Sequence, residues 1–143
     1  MQKGRILGID FGTKRIGFAV SDFDCVIALP VGFVEIKGLG NAVADFCEIC
    51  KKYEIFKIVF GKPIGLNKQR GDMMAKIEEF GKLLKRKTDS DILFEDERFT
   101  SVQAGKVLKS VGIKEKRQRS EKDSIAAAIL LQTYLDKINS ESD

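Results

Sequence analysis

The amino-acid sequence predicts an α/β fold in which a mixed five-stranded sheet carries helices on both faces. Three observations carry this prediction. The chain begins with short apolar segments separated by turn residues, the pattern of antiparallel strands. Further along, short apolar segments alternate with helical patterns, which is typical of parallel strands connected by helices. The length, 143 residues, suits a single domain, 1–143, with a substantial core.

Composition excludes several classes of protein. Hydrophobic residues make up 43% and charged residues 32% of the chain, as in a soluble globular protein. The sequence contains no long apolar run and no signal-peptide pattern, so we expect no membrane span and a cytoplasmic location. The net charge of +4 is compatible with a polyanionic partner. Histidine is absent, which excludes histidine-based zinc sites and catalytic triads.

The first two strands form a predicted β-hairpin with an acidic residue at its end. Residues 6–9 are apolar and lead to Asp10, Gly12 and Thr13 turn the chain, and residues 16–20 return. A carboxylate at the end of an apolar strand must be exposed, paired or bound to metal. The alternative is that Asp10 starts the turn by bonding nearby backbone.

The next elements are a third strand, a helix and a fourth strand. Residues 28–37 predict the third strand, and Pro30 indicates an edge or an entry point. Asn41 is predicted to cap a helix that runs to about residue 53. Residues 57–61 predict the fourth strand. The helix contains a C-x-x-C pair, Cys47 and Cys50. We interpret both as buried small hydrophobic residues, because two thiols alone do not complete a structural zinc site.

The second half of the chain alternates helices with one more strand. Residues 65–72 predict a mobile loop, and residues 91–96 predict a strand that ends in acids. The helix between them has one apolar stripe: Met73, Ile77, Phe80 and Leu84. After the last strand, Thr100 and Gln103 have the spacing of a capping box at the start of another helix.

The end of the chain combines a basic segment with an apolar helix. Residues 114–122 predict a solvated linker or a flexible basic loop that contacts phosphates. Residues 121–138 predict a helix that is apolar almost all round and therefore packs inside. The resulting order, β-β-β-α-β-α-β-α-α, is that of the ribonuclease H-like fold.

Acidic residues lie at the ends of three predicted elements. Asp10 ends the first strand, Asp96 and Glu97 end the last strand, and Asp123 opens the last helix. Two small residues, Ala126 and Ala127, share the helix face of Asp123. The helix can therefore lie close to the sheet and bring Asp123 near Asp10. The alternatives are a helix cap for Asp123 and a solvated strand end for the other two.

Clustered carboxylates repel each other unless a cation binds between them. Hard oxygen ligands select Mg²⁺ or Mn²⁺. Two such ions, about 4 Å apart, activate a water and stabilise the leaving oxygen of a phosphodiester. This chemistry needs no histidine, so a divalent-metal-dependent phosphodiesterase is the first functional hypothesis.

Four segments together resemble the YqgF (RuvX) family of pre-16S rRNA nucleases, which are related to Holliday junction resolvases. They are GIDFGTKRIGFAVSD (residues 8–22), VFGKPIGL (59–66), DERFTSVQA (96–104) and DSIAAAILLQTYLD (123–136). The resemblance implies a ribonuclease H-like fold, a cytoplasmic location and trimming of the 5′ end of the small-subunit ribosomal RNA precursor.

The resemblance also implies acidic catalytic and metal-binding residues. By motif position these are Asp10, Glu97, which we favour over Asp96, and Asp123. The related resolvases carry a second carboxylate on the strand equivalent to residues 57–61, which this chain lacks. The acid at the end of the fifth strand must then substitute for it.

Basic residues flank the carboxylate-bearing ends and are candidates for binding a phosphate backbone. We assign nucleic-acid binding to Arg15, Lys62 and Arg98, whereas Lys14 and Arg70 are equally well explained as exposed cations. The expected partner is a ribosomal RNA precursor or structured DNA. The sequence leaves open whether the protein itself is a monomer or a dimer. The sequence shows no aromatic stacking platform that would indicate readout of a single strand.

Three alternatives remain beside the RNA nuclease. A four-way DNA junction resolvase would use the same site. A non-catalytic nucleic-acid-binding module would keep the fold without the chemistry. The Asp-x-Gly-Thr segment also resembles the phosphate loop of actin-like and sugar-kinase-like ATPases, but those proteins need two such domains around the nucleotide.

Overall fold

The computed structural model describes residues 4–62, 68–96 and 115–141. Five strands form one sheet: β1 Arg5–Phe11, β2 Arg15–Ser21, β3 Ala28–Glu35, β4 Ile55–Lys62 and β5 Asp91–Asp96. Three helices complete the described part of the chain: α1 Leu39–Lys52, α2 Lys68–Lys87 and α3 Glu115–Glu141. The predicted start of a helix at Thr100 and Gln103 lies outside the described residues.

The sheet is mixed, as predicted, and its strand order is β3-β2-β1-β4-β5. The first three strands are antiparallel to one another, while β4 and β5 run parallel to β1. The carboxyl ends of β1, β4 and β5 therefore meet at one end of the sheet, which we call the carboxyl edge. Pro30 lies on β3, the outermost strand of this order, which confirms the predicted edge position.

Helices cover both faces of the sheet. Alternate residues of β1, including Leu7 and Ile9, pack in a core with α1 and α2. Ile6 belongs to a second core with α3, on what we call the α3 face. Because strand residues alternate between faces, Asp10 belongs to the α3 face. The predicted stripe of α2 is confirmed, since its residues Ile77, Phe80 and Leu84 are buried and Met73 packs beside them.

Helix α3 is held on the sheet by apolar contacts and by side-chain hydrogen bonds. Its buried apolar and aromatic residues are Ala126, Ala127, Leu130, Leu131, Tyr134 and Leu135. The Gln132 side chain accepts a hydrogen bond from the Ala28 backbone N–H (2.9 Å) and donates one to the Val26 carbonyl (2.8 Å). Asn139 donates to the Cys25 carbonyl at 3.0 Å. These bonds fix where α3 lies along the β2–β3 connection and hence where Asp123 meets the sheet.

The predicted starts of all three described helices, α1, α2 and α3, are wrong. Asn41 does not cap α1; the helix begins at Leu39, and the Asn41 side-chain amide donates to the Lys37 carbonyl at 3.3 Å. The positive φ of Gly38, 127°, turns the chain into the helix three residues earlier than expected, since Gly38 and not Asn41 is the N-cap. Residues 68–72, predicted as loop, are the first turns of α2.

The basic segment before the last predicted helix is not a linker. Residues 115–122 form the amino-terminal turns of α3. Lys, Arg, Gln and Glu are all good helix formers, so the segment extends the helix although it has no apolar stripe.

None of the three helices, within the ranges that the structure describes, carries an apolar stretch of the length that a membrane span needs.

The C-x-x-C pair lies inside α1, and Cys50 is a buried core residue, as predicted. Cys47 is half-buried and packs against the same core. Burial raises the pKa of the Cys50 thiol to about 12. A thiol with so high a pKa stays protonated and unreactive at neutral pH, which supports a packing role and argues against redox chemistry.

Candidate functional site

The first site residue, Asp10, is the penultimate residue of β1 and is half-buried on the α3 face. The hairpin that follows is closed by a backbone hydrogen bond from the Gly12 N–H to the Arg15 carbonyl, 2.9 Å long. In the antiparallel pair, Asp10 lies opposite Gly17 of β2. This glycine is the point at which the helix approaches the sheet.

Asp123 lies on α3 directly against Gly17. A Cβ atom placed on Gly17 would lie 2.8 Å from the Asp123 Cβ and would overlap the Asp123 carbonyl. Only glycine leaves room for the helix backbone at this position. Because Gly17 is the cross-strand partner of Asp10, Asp123 lies against the strand neighbour of Asp10 on the α3 face.

The close approach of α3 has a second support further along the helix. A Cβ atom on Gly8 of β1 would lie 2.8 Å from the Leu131 Cβ. The predicted contribution of small helix residues is confirmed, since Ala126 and Ala127 are buried. The glycines on the sheet were missed, although a glycine inside an apolar strand pattern is a known sign that another backbone approaches closely.

Arg15 pairs with Asp123. Its Nε atom lies 2.9 Å from the Asp123 Oδ2 atom. This oxygen is shielded from solvent and accepts no hydrogen bond from the described residues, so the guanidinium N–H does not point along the ion pair. The site thus contains a carboxylate oxygen that is desolvated, attracted to one cation and still able to accept a further ligand.

The ion pair lines a cleft of about 620 Å³ at the carboxyl edge. Its lining is mostly polar and charged: Gly12, Thr13, Lys14, Arg15, Glu35, Ile36 and Asp123. The Ile36 N–H donates to the Lys14 carbonyl at 2.9 Å, which ties the end of β3 to the hairpin turn. The cleft therefore presents two cations beside two carboxylates.

The same row of residues continues to an aromatic ring. Gly17 lies opposite Phe33 of β3 as well as opposite Asp10. The Arg15 guanidinium carbon lies 5.1 Å from the centre of the Phe33 ring, and Phe33 keeps 37% of its surface exposed. The sequence alone did not reveal this ring as part of the site, because its place depends on the register of three strands.

The structure brings some of the predicted site residues together and separates one. Asp10, Asp123 and Arg15 converge on the α3 face. Lys62 ends β4 and is exposed, but it lines a separate cleft of about 820 Å³ with residues of β5 and α2. Glu97 and Arg98 lie outside the described residues. Among residues 4–62, 68–96 and 115–141, no three acidic or cysteine side chains are grouped to hold a metal.

The strand order, together with an acidic residue at the end of β1 and another on the helix that covers it, defines the ribonuclease H-like class. Two solved structures share this fold. One is RuvC of T. thermophilus in complex with a Holliday junction substrate, with a TM-score of 0.65, 15% identity, and coverage of 96% of this chain and 97% of that one. The other is the Fowlpox virus resolvase with Holliday junction DNA, with a TM-score of 0.57, 14% identity, and coverage of 94% and 98%.

Within this class, the chain belongs to the RuvX family, described as Holliday junction resolvase, which matches residues 4–137. Two curated relatives carry the name "Putative pre-16S rRNA nuclease". The relative from Sulfurihydrogenibium sp. is 41% identical and covers 94% of this chain and 92% of its own length. The relative from Agathobacter rectalis is 38% identical and covers 94% and 96%.

Proposed function

We propose that this chain is a cytoplasmic, divalent-metal-dependent nuclease that hydrolyses phosphodiester bonds at the 5′ end of the 16S ribosomal RNA precursor. The nuclease class follows from the RuvX family and from the names of relatives that align over almost the whole chain. The observation that supports the proposal is the contact of Asp123 with Gly17, because Gly17 is the cross-strand neighbour of Asp10 at the carboxyl edge.

The side chains at this edge fit a hard divalent cation. Asp10 and Asp123 supply carboxylate oxygens, the donors that Mg²⁺ and Mn²⁺ prefer. The Asp123 Oδ2 atom is desolvated and accepts no hydrogen bond within the described structure, which leaves a lone pair for a metal. When bound there, the ion would activate a water and stabilise the leaving oxygen of the phosphodiester.

Glu97 is the proposed third acid, because of the alternation along β5. Leu93 packs in the α3 core, and Glu95 forms an ion pair with Lys137 of α3 at 3.3 Å. Phe94, by contrast, stacks on Phe60 of the other core. Odd-numbered positions of β5 thus belong to the face of Asp10, and in the sequence Glu97 is odd and Asp96 is even. This parity favours Glu97 as the acid that joins Asp10 and Asp123.

The basic residues are assigned to substrate binding and to positioning. Arg15 holds Asp123 by charge and keeps a guanidinium at the mouth of the cleft, where a substrate phosphate is its natural partner. We propose that Lys62 and Arg98 contact phosphates further along the backbone. For Lys62, the position on the α2 side of the sheet supports contact with a flanking phosphate and not with the scissile one.

Cleavage of a 5′-extended 16S ribosomal RNA precursor by the purified protein tests the proposal. The reactions contain Mg²⁺, Mn²⁺ or a chelator, and Asp10→Asn is compared with the wild type. The matched control is Asp24→Asn, which changes an exposed acid in the β2–β3 turn, at the other end of the sheet. We expect metal-dependent cleavage that Asp10→Asn loses and Asp24→Asn keeps. Full activity of Asp10→Asn would refute the assigned site.

The second candidate is cleavage of a four-way DNA junction. It is favoured by the family description, Holliday junction resolvase, and it would use the same carboxylates. The same assay decides between the two when a synthetic four-way junction replaces the RNA. Metal-dependent cleavage of the junction, without cleavage of the precursor, would select the resolvase. Binding of RNA without cleavage of either substrate would select the non-catalytic module.

A further inference from the structure

Phe33 differs from the aromatic residues of the core. Phe46, Phe60 and Phe80 are fully buried and pack edge to face within the core. Phe33 lies on the outermost strand β3, with 37% of its surface exposed, on the same face as Asp10 and Asp123. The exposed part of this ring is apolar surface that a stacking ligand could cover.

Distance links this ring to the proposed cleavage site. Asp10, Gly17 and Phe33 form one row across three neighbouring strands. Adjacent strands are about 4.8 Å apart, so the Phe33 backbone lies about 10 Å from that of Asp10. One nucleotide whose phosphate lies at Asp10 can span this distance with its base. The Asp123 backbone covers Gly17 between them, so the nucleotide would follow the Arg15 side chain from Asp123 to Phe33 along the cleft beside α3.

Arg15 connects the ring to the acidic site. Its guanidinium lies 5.1 Å from the Phe33 ring centre and its Nε atom 2.9 Å from the Asp123 carboxylate. An aromatic ring next to a planar cation is the combination on which unpaired bases stack, and it is insensitive to base identity. The adjoining cleft of about 620 Å³ leaves open space on the side of the carboxylates.

A second copy of the chain is a poorer partner for this surface. The outer edge of β3 also exposes apolar residues: Leu29 and Val31. However, Pro30 removes a backbone donor from this strand, and the pairing of β2 with β3 is irregular between Phe18 and Ala19. Both features oppose the addition of another strand at this edge. The position of Phe33 and the positive charge of the adjacent Arg15 favour a nucleic acid instead.

We propose that Phe33 and Arg15 form a stacking site for one unpaired nucleobase next to the phosphate that is cleaved. This inference rests on the proposed nuclease function for the location of that phosphate. It adds a positioning role: the site holds the nucleotide beside Asp10 and Asp123 by its base, whatever the sequence. It also implies that the nuclease acts where at least one base is unpaired.

Binding of a short single-stranded RNA, measured by fluorescence anisotropy in the presence of a chelator, tests the stacking site. Phe33→Leu keeps an apolar side chain and removes the ring, and Phe33→Trp restores a ring. The matched control is Phe23→Leu. Phe23 is also exposed, at 49%, and also lies beside a guanidinium, since the Arg5 carbon is 4.2 Å from its ring centre. Arg5 begins β1, so this pair lies at the end of the sheet away from Asp10.

We expect Phe33→Leu to weaken RNA binding about tenfold, whereas Phe33→Trp and Phe23→Leu bind like the wild type. An RNA of the same length without bases should bind Phe33→Leu and wild type equally, because only the base contact has been removed. The salt dependence of binding should not change, because no charge is altered.

Several results would overturn the stacking site. They are unchanged binding by Phe33→Leu, an equal loss on RNA with and without bases, and no RNA binding by the wild type. The proposed function fails separately. If the wild type does not cut the precursor but its binding depends on Phe33 and on the bases, the stacking site stands and the nuclease assignment falls. If cleavage depends on metal and Asp10 while Phe33→Leu binds RNA normally, the nuclease assignment stands and the stacking site falls.

Discussion

At the scale of single residues, one carboxylate organises the turn on which α3 rests. The Asp22 Oδ1 atom accepts hydrogen bonds from the backbone N–H groups of Val26 (2.8 Å) and Ile27 (3.1 Å). These bonds hold the β2–β3 connection in the shape that Gln132 and Asn139 of α3 bind. A residue far from the carboxyl edge thus helps to set the position of Asp123.

The backbone hydrogen bonds also lower the pKa of Asp22 below its ordinary value of 3.8. A lowered pKa means that the ionised carboxylate stabilises the folded chain above pH 3.8 and that this stability is lost as the pH falls through the folded-state pKa. We expect Asp22→Ala to lower the free energy of unfolding by about 0.5–1 kcal/mol at neutral pH.

Urea denaturation at several pH values measures this difference, and Asp24→Ala is the exposed control. The gap between Asp22→Ala and the wild type should close at the acidic end, because the protonated wild-type carboxyl no longer accepts both bonds. A gap that stays constant down to the acidic end would show that the charge of Asp22 does not contribute.

At the scale of elements, the site depends on how closely α3 approaches the sheet. The helix touches β2 at Gly17 and β1 at Gly8, where no Cβ atom fits. Apolar packing by residues such as Ala127 and Leu131 presses the helix onto these two points. The distance between Asp123 and the end of β1 is therefore a property of the helix–sheet contact and not of a flexible loop.

Gly17→Ala tests this dependence. The new methyl group would overlap the backbone of Asp123. Helix α3 must therefore move away from the sheet at this residue. We expect the free energy of unfolding to fall by about 1–3 kcal/mol and nuclease activity to fall more than stability explains. The matched control is Gly32→Ala on the neighbouring strand, where a Cβ atom meets nothing within 4 Å.

Denaturation measures the stability of both glycine variants. Precursor cleavage, at a temperature at which each variant is folded, measures their activity. Gly32→Ala should resemble the wild type in both. Wild-type cleavage by Gly17→Ala would mean that the approach of α3 to β2 does not position Asp123 for the reaction.

At the scale of the whole molecule, the strands were predictable and the helix starts were not. The apolar runs of β1, β2, β4 and β5 mark buried strands, and each was predicted to within two residues of its observed bounds. The starts of α2 and α3 were missed because their first turns carry charge without an apolar stripe. Such turns take their stability from helix propensity and tertiary context, which hydrophobic periodicity does not report.

The candidate site was partly predictable for a similar reason. Asp10 stands out because it follows an apolar strand pattern, and Asp123 because it comes directly before an apolar helix pattern. Gly17 and Phe33 join the site through cross-strand register, and the pairing of β2 with β3 shifts at Phe18 and Ala19. A one-residue shift moves every side chain beyond it to the other face, so their place could be read only from the structure.

We infer that Asp10 and Asp123 hold one divalent cation between them. Calorimetric titration of Mn²⁺ into the wild type, Asp10→Asn and Asp123→Asn tests this claim without reference to activity, and Asp24→Asn serves as the control. We expect both single variants to lose most of the wild-type affinity, because each removes a charged ligand of the same ion. Wild-type affinity in either variant would contradict a shared site and would separate the two carboxylates in function.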